Sequence, residues 1–244
     1  MINYEDIQFQ LNPNGDQLRL LKGLSPKKGR YQQSLDKNGN NLWFYWIMNQ
    51  SPINGLKIWL TKLNTVDPYM LNNKKESLIY KTIVNDKKEV FDFLTSKYDI
   101  NLFYSEENIW HENLIHASVW SGNNFFLDKF INKEKDLDKK NIEGMTPLMI
   151  ATHKNIELVK TLLLAGANPN ITDNKNKSAL HYAADNPDTN IYSLIEDCGG
   201  YGDIVDCLGR TPEEILHKNI EKDEVKIKST ENYWLKQLKK RQEL

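Results

Sequence analysis

The stretch NIEGMTPLMIA, residues 141–151, decides how this chain folds, because two later stretches nearly repeat it. They are DNKNKSALHYAA at residues 173–184 and DCLGRTP at residues 206–212. The three stretches begin 32 and 33 residues apart. A nearly fixed period of this length is typical of chains that stack one small supersecondary unit many times, so that neighbouring units share a continuous core.

The residue types in the first stretch each have a local structural role. Thr146 is expected to cap a helix, because its hydroxyl can accept a hydrogen bond from an unpaired N–H of the first turn. Pro147 then falls at the first helical position, where its missing N–H costs nothing. Gly144 gives the preceding turn its conformational freedom, and Ile156–Leu164 are expected to form a second helix. The pattern therefore predicts a turn followed by a pair of helices.

The same pattern extends upstream in a weaker form. Ile115, His116 and Ala117 stand in the place of the first helix, one period before the best-formed stretch. The spacing predicts six units in all, which begin near residues 36, 72, 108, 141, 173 and 206. Trp46 falls where a small residue is expected, which leaves the register of the first unit open.

A period near 33 residues with a core of the Thr-Pro-Leu-His type resembles the ankyrin repeat. The resemblance implies an all-α solenoid of stacked helix-turn-helix units with short β-turn tips. Residues 1–35 are then expected to form an N-terminal capping helix pair, residues 36–218 the repeats, and residues 219–244 a C-terminal capping helix. His116 and His181 are expected to be structural members of the helix caps.

Composition and charge restrict the classes of function. Hydrophobic residues make up 39% of the 244 residues and charged residues 27%, which provides enough apolar material for a core. The formal net charge is −1, so charge gives no argument for binding to nucleic acid or a membrane. No secretory signal is visible, and the longest apolar run, residues 42–48, is too short to span a bilayer. We therefore expect a cytoplasmic protein, with signal-free secretion into a host cell as the alternative.

The sequence predicts no catalytic residue, no metal site and no cofactor. Cys198 and His181 could be a nucleophile and its base, but Cys198 falls at a helix end and His181 in a helix cap. No spacing of Cys and His matches a metal cage, and Cys198 with Cys207 does not make a disulfide framework. An enzyme with an unrecognised site in the N-terminal third is kept as an alternative.

Binding to another protein is the function that the resemblance implies. In the ankyrin family, partner contacts come from the turn tips and from the exposed side of each first helix. Carried over by position, the expected partner-binding residues are Trp110, Glu112, Trp120, Ile142, Glu143, Met145, His153, Lys154, Lys175 and Lys177.

Four of these residues, Trp110, Trp120, Ile142 and Met145, are large and apolar at positions that the fold does not need to bury. Such a group predicts a binding patch, although the same side chains could instead fill gaps between neighbouring units. The lysines around them favour an acidic partner, and a solvated lysine face would explain them equally well.

The function predicted from these features is that of a cytosolic inhibitor or immunity protein that neutralises a bacterial toxin. The chain is expected to be a monomer before it binds. The alternative is a translocated effector or scaffold that binds a host protein.

Overall fold

A computed structural model gives the structure of the chain and describes residues 40, 44, 71–99, 107–132 and 136–222. The expected N-terminal cap, residues 1–35, lies outside the described residues, as does Trp46. The expected C-terminal cap is described only at residues 219–222. The division of the chain into repeats between two caps therefore stays a prediction.

The described residues form α-helices joined by turns, and the only β-structure among them is an isolated bridge between Leu71 and Ser77. The helices are α1 (Leu78–Val84), α2 (Lys88–Lys97), α3 (Leu114–Ser121), α4 (Asn124–Phe130), α5 (Pro147–Ala151), α6 (Ile156–Leu164), α7 (Ala179–Ala184), α8 (Thr189–Asp197) and α9 (residues 212–222). The expected all-α class is confirmed for this part of the chain, and α6 has the predicted bounds. None of these helices combines the length and the hydropathy that a membrane crossing requires.

One side-chain oxygen shapes the turn at the start of each described repeat. In the repeat that begins at Asn141, Oδ1 accepts hydrogen bonds from the backbone N–H groups of Glu143 and Met145, both at 3.0 Å. The same two bonds, from the second and fourth residues beyond, are accepted by Asn72, Asn108, Asp173 and Asp206. In each turn the backbone N–H of this first residue also donates to the carbonyl four residues on. The turn is thus held by its own first residue.

The helix cap predicted at Thr146 is present, and the preceding repeat has a similar one. Thr146 Oγ1 accepts from the Met149 N–H at 3.4 Å, and Pro147 occupies the first position of α5. In the preceding repeat, Asn113 Oδ1 accepts from the His116 N–H at 3.1 Å. The Asn113 N–H donates in return to His116 Nδ1 at 3.4 Å. His116 is therefore a structural member of the cap, as expected.

The contacts within the chain divide it into two compact units, residues 1–126 and 127–244, and the boundary falls inside α4. In the N-terminal unit, α1 packs against α2 and α3. In the C-terminal unit, α5 packs against α6 and α7, and α8 packs against the same two helices. Within each unit, a first helix thus contacts both its own second helix and the first helix of a neighbouring repeat.

Aromatic side chains contribute to the mainly aliphatic core of the N-terminal unit. Phe91 of α2 meets Phe125 and Phe126 edge to face, with ring centroids 6.1 and 5.3 Å apart. This geometry suits the charge distribution of aromatic rings. At the start of the unit, Asn72 Nδ2 donates to Asn40 Oδ1 at 3.0 Å. Asn40 is the fourth residue after the predicted start of the first repeat, and it contacts the first residue of the turn that begins at Asn72.

Aliphatic side chains fill the core of the C-terminal unit. Leu148, Leu158 and Leu180 are fully buried, and each buried side chain of this kind contributes about 1.5–3 kcal/mol. The turns of adjacent repeats are joined through the backbone, because the Asn174 N–H donates to the Glu143 carbonyl at 3.1 Å.

Gly144 is required at this junction for two separate reasons. Its φ of +81° is left-handed, and an added Cβ would lie 2.6 Å from the backbone nitrogen of Asn174. Gly209 holds the same place in the last described turn, with a φ of +74° and nothing within 4 Å of an added Cβ. We therefore expect Gly209→Ala to cost about 1–2 kcal/mol from backbone strain alone. Gly144→Ala should cost about 2 kcal/mol more, because the Asn174 backbone must move.

Urea denaturation of the full chain measures both substitutions, with the change in midpoint converted to a free energy of unfolding. Equal losses for the two variants would show that adjacent turns are not in close contact at Gly144.

Candidate partner-binding surface

Two tryptophans of the N-terminal unit lie at the surface and are held in place by polar contacts. Trp110 is the third residue of its turn, and its backbone N–H donates to Asn108 Oδ1 at 2.9 Å. Its half-buried ring lies beneath Lys74, whose Nζ is 5.1 Å from the ring centroid. Trp120, near the end of α3, is 39% exposed, and its indole N–H donates to Glu112 Oε1 at 2.8 Å. Both rings are thus positioned before any partner arrives.

Glu112 lies beneath this surface and is only 8% exposed. Besides the Trp120 indole, its carboxylate accepts from the Tyr80 hydroxyl at 2.6 Å and from Asn108 Nδ2 at 2.9 Å. Burial, and then the adjacent Glu112 carboxylate, raises the pKa of the Tyr80 hydroxyl, which therefore stays protonated and donates. Glu112, expected as a contact residue, supports Trp120 from below.

In the C-terminal unit, the turn that begins at Asn141 presents Ile142 and Glu143. Ile142 is 56% exposed, while its carbonyl accepts from Asn174 Nδ2 at 3.0 Å. Glu143 is exposed and Met145 is half-buried. Because this turn is hydrogen-bonded internally and to the next turn, the backbone that carries Ile142 and Glu143 is fixed.

A polar and aromatic cluster on the same unit is centred on Tyr182. The rings of His153 and Tyr182 meet edge to face, with centroids 5.7 Å apart. Lys177 Nζ lies 5.4 Å from the Tyr182 centroid and 3.2 Å from Asp185 Oδ2. The Tyr182 hydroxyl donates to Asp173 Oδ2 at 2.6 Å. Burial, and then this bond to Asp173, raises the pKa of Tyr182 and keeps the hydroxyl protonated.

Tyr182 was not among the residues expected from the sequence, although it belongs with two that were. His153 and Lys177 both contact it, so the structure brings these two expected residues together through an unexpected third. The tyrosine itself could have indicated such a cluster, because a Tyr hydroxyl that is partly buried usually has a hydrogen-bond partner nearby.

The two remaining expected residues, Lys154 and Lys175, are exposed on the C-terminal unit. Lys175 is a turn-tip residue, and its N–H donates to Asp173 Oδ1 at 2.8 Å. The ten expected residues thus fall into a group of three in the N-terminal unit, Trp110, Glu112 and Trp120, and a larger group in the C-terminal unit.

His181 is not available as a base for Cys198. The Ser178 N–H donates to its Nδ1 at 3.0 Å, so Nε2 carries the proton and donates to the Arg210 carbonyl at 3.2 Å. Burial lowers the pKa of His181, which favours this neutral form. The histidine is a structural part of the helix cap, as expected. No group of three potential metal ligands occurs among the described residues.

Residues 79–173 and 114–205 of the chain match a family model described as ankyrin repeats in three copies. Together these matches span residues 79–205, slightly more than half of the 244 residues. The chain is also 44% identical over 54 residues to "Neurogenic locus notch homolog protein 1" of Danio rerio. That stretch is 22% of this chain and 2% of the zebrafish protein, so the likeness concerns one small part of a much longer protein.

Replacing Glu112 by Gln tests whether a buried carboxylate holds the surface of the N-terminal unit. In either orientation the amide N–H₂ replaces one of the two accepting oxygens, so at least one of the three donors loses its acceptor. We expect a loss of about 2 kcal/mol in the free energy of unfolding, as for hydrogen bonds to charged groups. Glu143→Gln is the matched control at an exposed turn position and should cost less than about 0.5 kcal/mol.

Denaturant unfolding followed by tryptophan fluorescence compares the two variants. A loss in Glu112→Gln no larger than that in Glu143→Gln would contradict a supporting role for the carboxylate.

Proposed function

The chain belongs to the ankyrin-repeat family, whose repeats form a protein–protein interaction module, and from this premise we propose that it inhibits a partner protein by covering part of its surface. In this proposal the chain is a cytoplasmic monomer that binds an acidic protein in a defined stoichiometric ratio. An immunity protein that neutralises a bacterial toxin is the concrete form of such an inhibitor. No enzymatic step is assigned to the chain.

The observation that carries the proposal is the fixed, exposed indole of Trp120. Tryptophan is enriched among the residues that dominate binding energy, because one ring buries a large area with few rotatable bonds. Glu112 already holds the Trp120 indole, so little side-chain entropy remains to be lost on binding. Trp110, whose ring is covered on one side by Lys74, supports the same interpretation.

The C-terminal unit supports the proposal with a second group of contact residues. Tyr182 is held by Asp173 and flanked by His153 and Lys177, so its orientation is also set in advance. Ile142, which is 56% exposed, adds apolar area on the same unit. Each unit thus offers positioned aromatic or apolar side chains for a partner.

The exposed lysines of the C-terminal unit favour an acidic partner. Lys154 and Lys175 are exposed, whereas Lys177 is half-buried and lies 3.2 Å from Asp185. Opposite charge on a partner would speed association and limit binding to the wrong proteins.

Differential capture tests the proposed surface. The full chain is immobilised and exposed to a lysate of its source cells, beside the variants Trp120→Ala and Leu164→Ala. Leu164 is the matched control, because it is 89% exposed at the end of α6 and is assigned no contact. We expect the partner to be retained by the wild type and by Leu164→Ala. Trp120→Ala should bind the purified partner about 30-fold more weakly, the usual effect of losing a dominant aromatic contact.

Titration of the purified partner with the chain then tests inhibition. The proposal predicts that the partner's activity is lost at a defined ratio, and that Trp120→Ala shifts the titration in step with its weaker binding. A partner that stays fully active when saturated would rule out inhibition. Equal retention by Trp120→Ala and the wild type would rule out this surface.

A further inference from the structure

Two turn tips of the N-terminal unit keep a side chain where the backbone favours glycine. The fourth residue of each turn is left-handed, and in the C-terminal unit Gly144 and Gly209 occupy this place. In the N-terminal unit the same place is held by Lys75, with a φ of 54°, and by His111, with a φ of 60°. A residue with a Cβ loses about 1–2 kcal/mol in this conformation.

Asn176, the remaining left-handed residue of this kind, is explained by its contacts. Its φ is 59°, and its side-chain amide donates to the Val205 carbonyl in the next turn. Asparagine also tolerates the left-handed region better than most residues. Neither reason applies to Lys75, which is exposed and whose ammonium group bonds to none of the described residues.

His111 gains little within the chain to offset its strain. Its side chain is 62% exposed, and Nδ1 lies 3.2 Å from Glu107 Oε2. An exposed pair of this kind contributes at most about 1 kcal/mol. Histidine, like asparagine, tolerates the left-handed region better than most residues, so Lys75 is the tip residue for which the described contacts give no sufficient reason.

These two turn tips lie side by side. The Ile109 N–H donates to the Lys74 carbonyl at 3.0 Å, and Lys74 Nζ lies 5.1 Å from the Trp110 ring. Ile109 is 43% exposed. The adjacent tips thus combine two lysines, Lys74 and Lys75, with an isoleucine and the edge of a tryptophan.

The acidic residues of the same turns do not neutralise this surface. Glu76 is buried and pairs with Lys81 at 2.9 Å. Glu112 is buried and accepts three hydrogen bonds from within the unit. Glu107 is partly exposed, and its carboxylate lies 3.2 Å from His111 Nδ1. Among the described residues of the two tips, the exposed charge is therefore mainly positive.

We propose that the two adjacent turn tips are a contact site for an acidic peptide segment of the partner, with apolar side chains between its carboxylates. Lys74 and Lys75 pair with the carboxylates, while Ile109 and Trp110 take the apolar side chains. This inference rests on the proposed function and specifies the chemistry of the partner. The strain at Lys75 is then tolerated because this side chain binds.

A single substitution separates binding from folding at this site. Lys75→Gly removes the ammonium group and also the strain, so the urea midpoint should stay the same or rise. Lys75→Ala removes the ammonium group but keeps the strain, so its midpoint should lie below that of Lys75→Gly. Lys160→Ala, which removes a lysine of α6 far along the chain, is the control for a general loss of positive charge.

The probe is a fluorescein-labelled peptide that repeats Glu-Glu-Leu, with Gln-Gln-Leu and Lys-Lys-Leu repeats as charge controls. Fluorescence anisotropy of the full chain at low salt should show binding of the acidic peptide and much weaker binding of the other two. Lys75→Gly and Lys75→Ala should each weaken binding about three- to fivefold, the range for an exposed ion pair. Lys160→Ala should bind like the wild type.

Three outcomes would overturn the inference: no binding of the acidic peptide to the wild type, unchanged affinity in Lys75→Gly, or a lower urea midpoint in Lys75→Gly than in Lys75→Ala. Each leaves the proposed function standing if the cellular partner is still lost from Trp120→Ala and retained by Leu164→Ala. If Trp120→Ala retained the cellular partner as well as Leu164→Ala does, the proposed function itself would be contradicted.

Discussion

The structure depends on one side-chain oxygen at the start of each turn. In all five described turns an Asn or Asp Oδ1 accepts two backbone N–H groups that would otherwise be unpaired at the turn tip. Each such bond contributes about 1 kcal/mol. Because the turn is closed by its first residue and by the backbone, the side chains at the tip are not needed for folding. They can vary from Lys74 to Trp110 to Glu143 without changing the turn.

The other polar atom of the same side chain, which is Nδ2 of Asn or Oδ2 of Asp, determines which neighbouring side chain can bond to it. An asparagine offers an N–H₂ donor, and Asn72 and Asn108 each donate to the glutamate four residues on. An aspartate offers a second acceptor, and Asp206 accepts from the Arg210 guanidinium at 2.6 Å. Burial alone would raise the pKa of Asp206, but the hydrogen bonds from the Arg210 side chain and the backbone lower it to about 2. Asn72 and Asn108 thus build the same turn as Asp206 but pair with a glutamate at its end, whereas Asp206 pairs with an arginine.

The sequence predicted interactions between residues close in the chain and missed those between repeats. Thr146, Pro147 and the α6 helix were predicted correctly, since caps and turns depend on residues within four positions of one another. The burial of Glu112 could not be predicted, because Tyr80 approaches it from the preceding repeat. Tyr182 was missed for the related reason that its neighbours, His153 and Lys177, come from two repeats. The left-handed backbone at Lys75 and His111 was also hidden, because the sequence shows glycine only in other turns.

The central claim is that the turn oxygens hold the tips rigid, so that a binding surface exists before a partner arrives. Native-state amide hydrogen exchange at Glu143 and Met145, which donate to Asn141 Oδ1, tests this most directly. The account predicts that both amides are protected to the same degree as those of the adjacent helix α5, although the Glu143 side chain is exposed. Exchange at the rate of an unstructured loop would contradict it, because the tips would then be mobile.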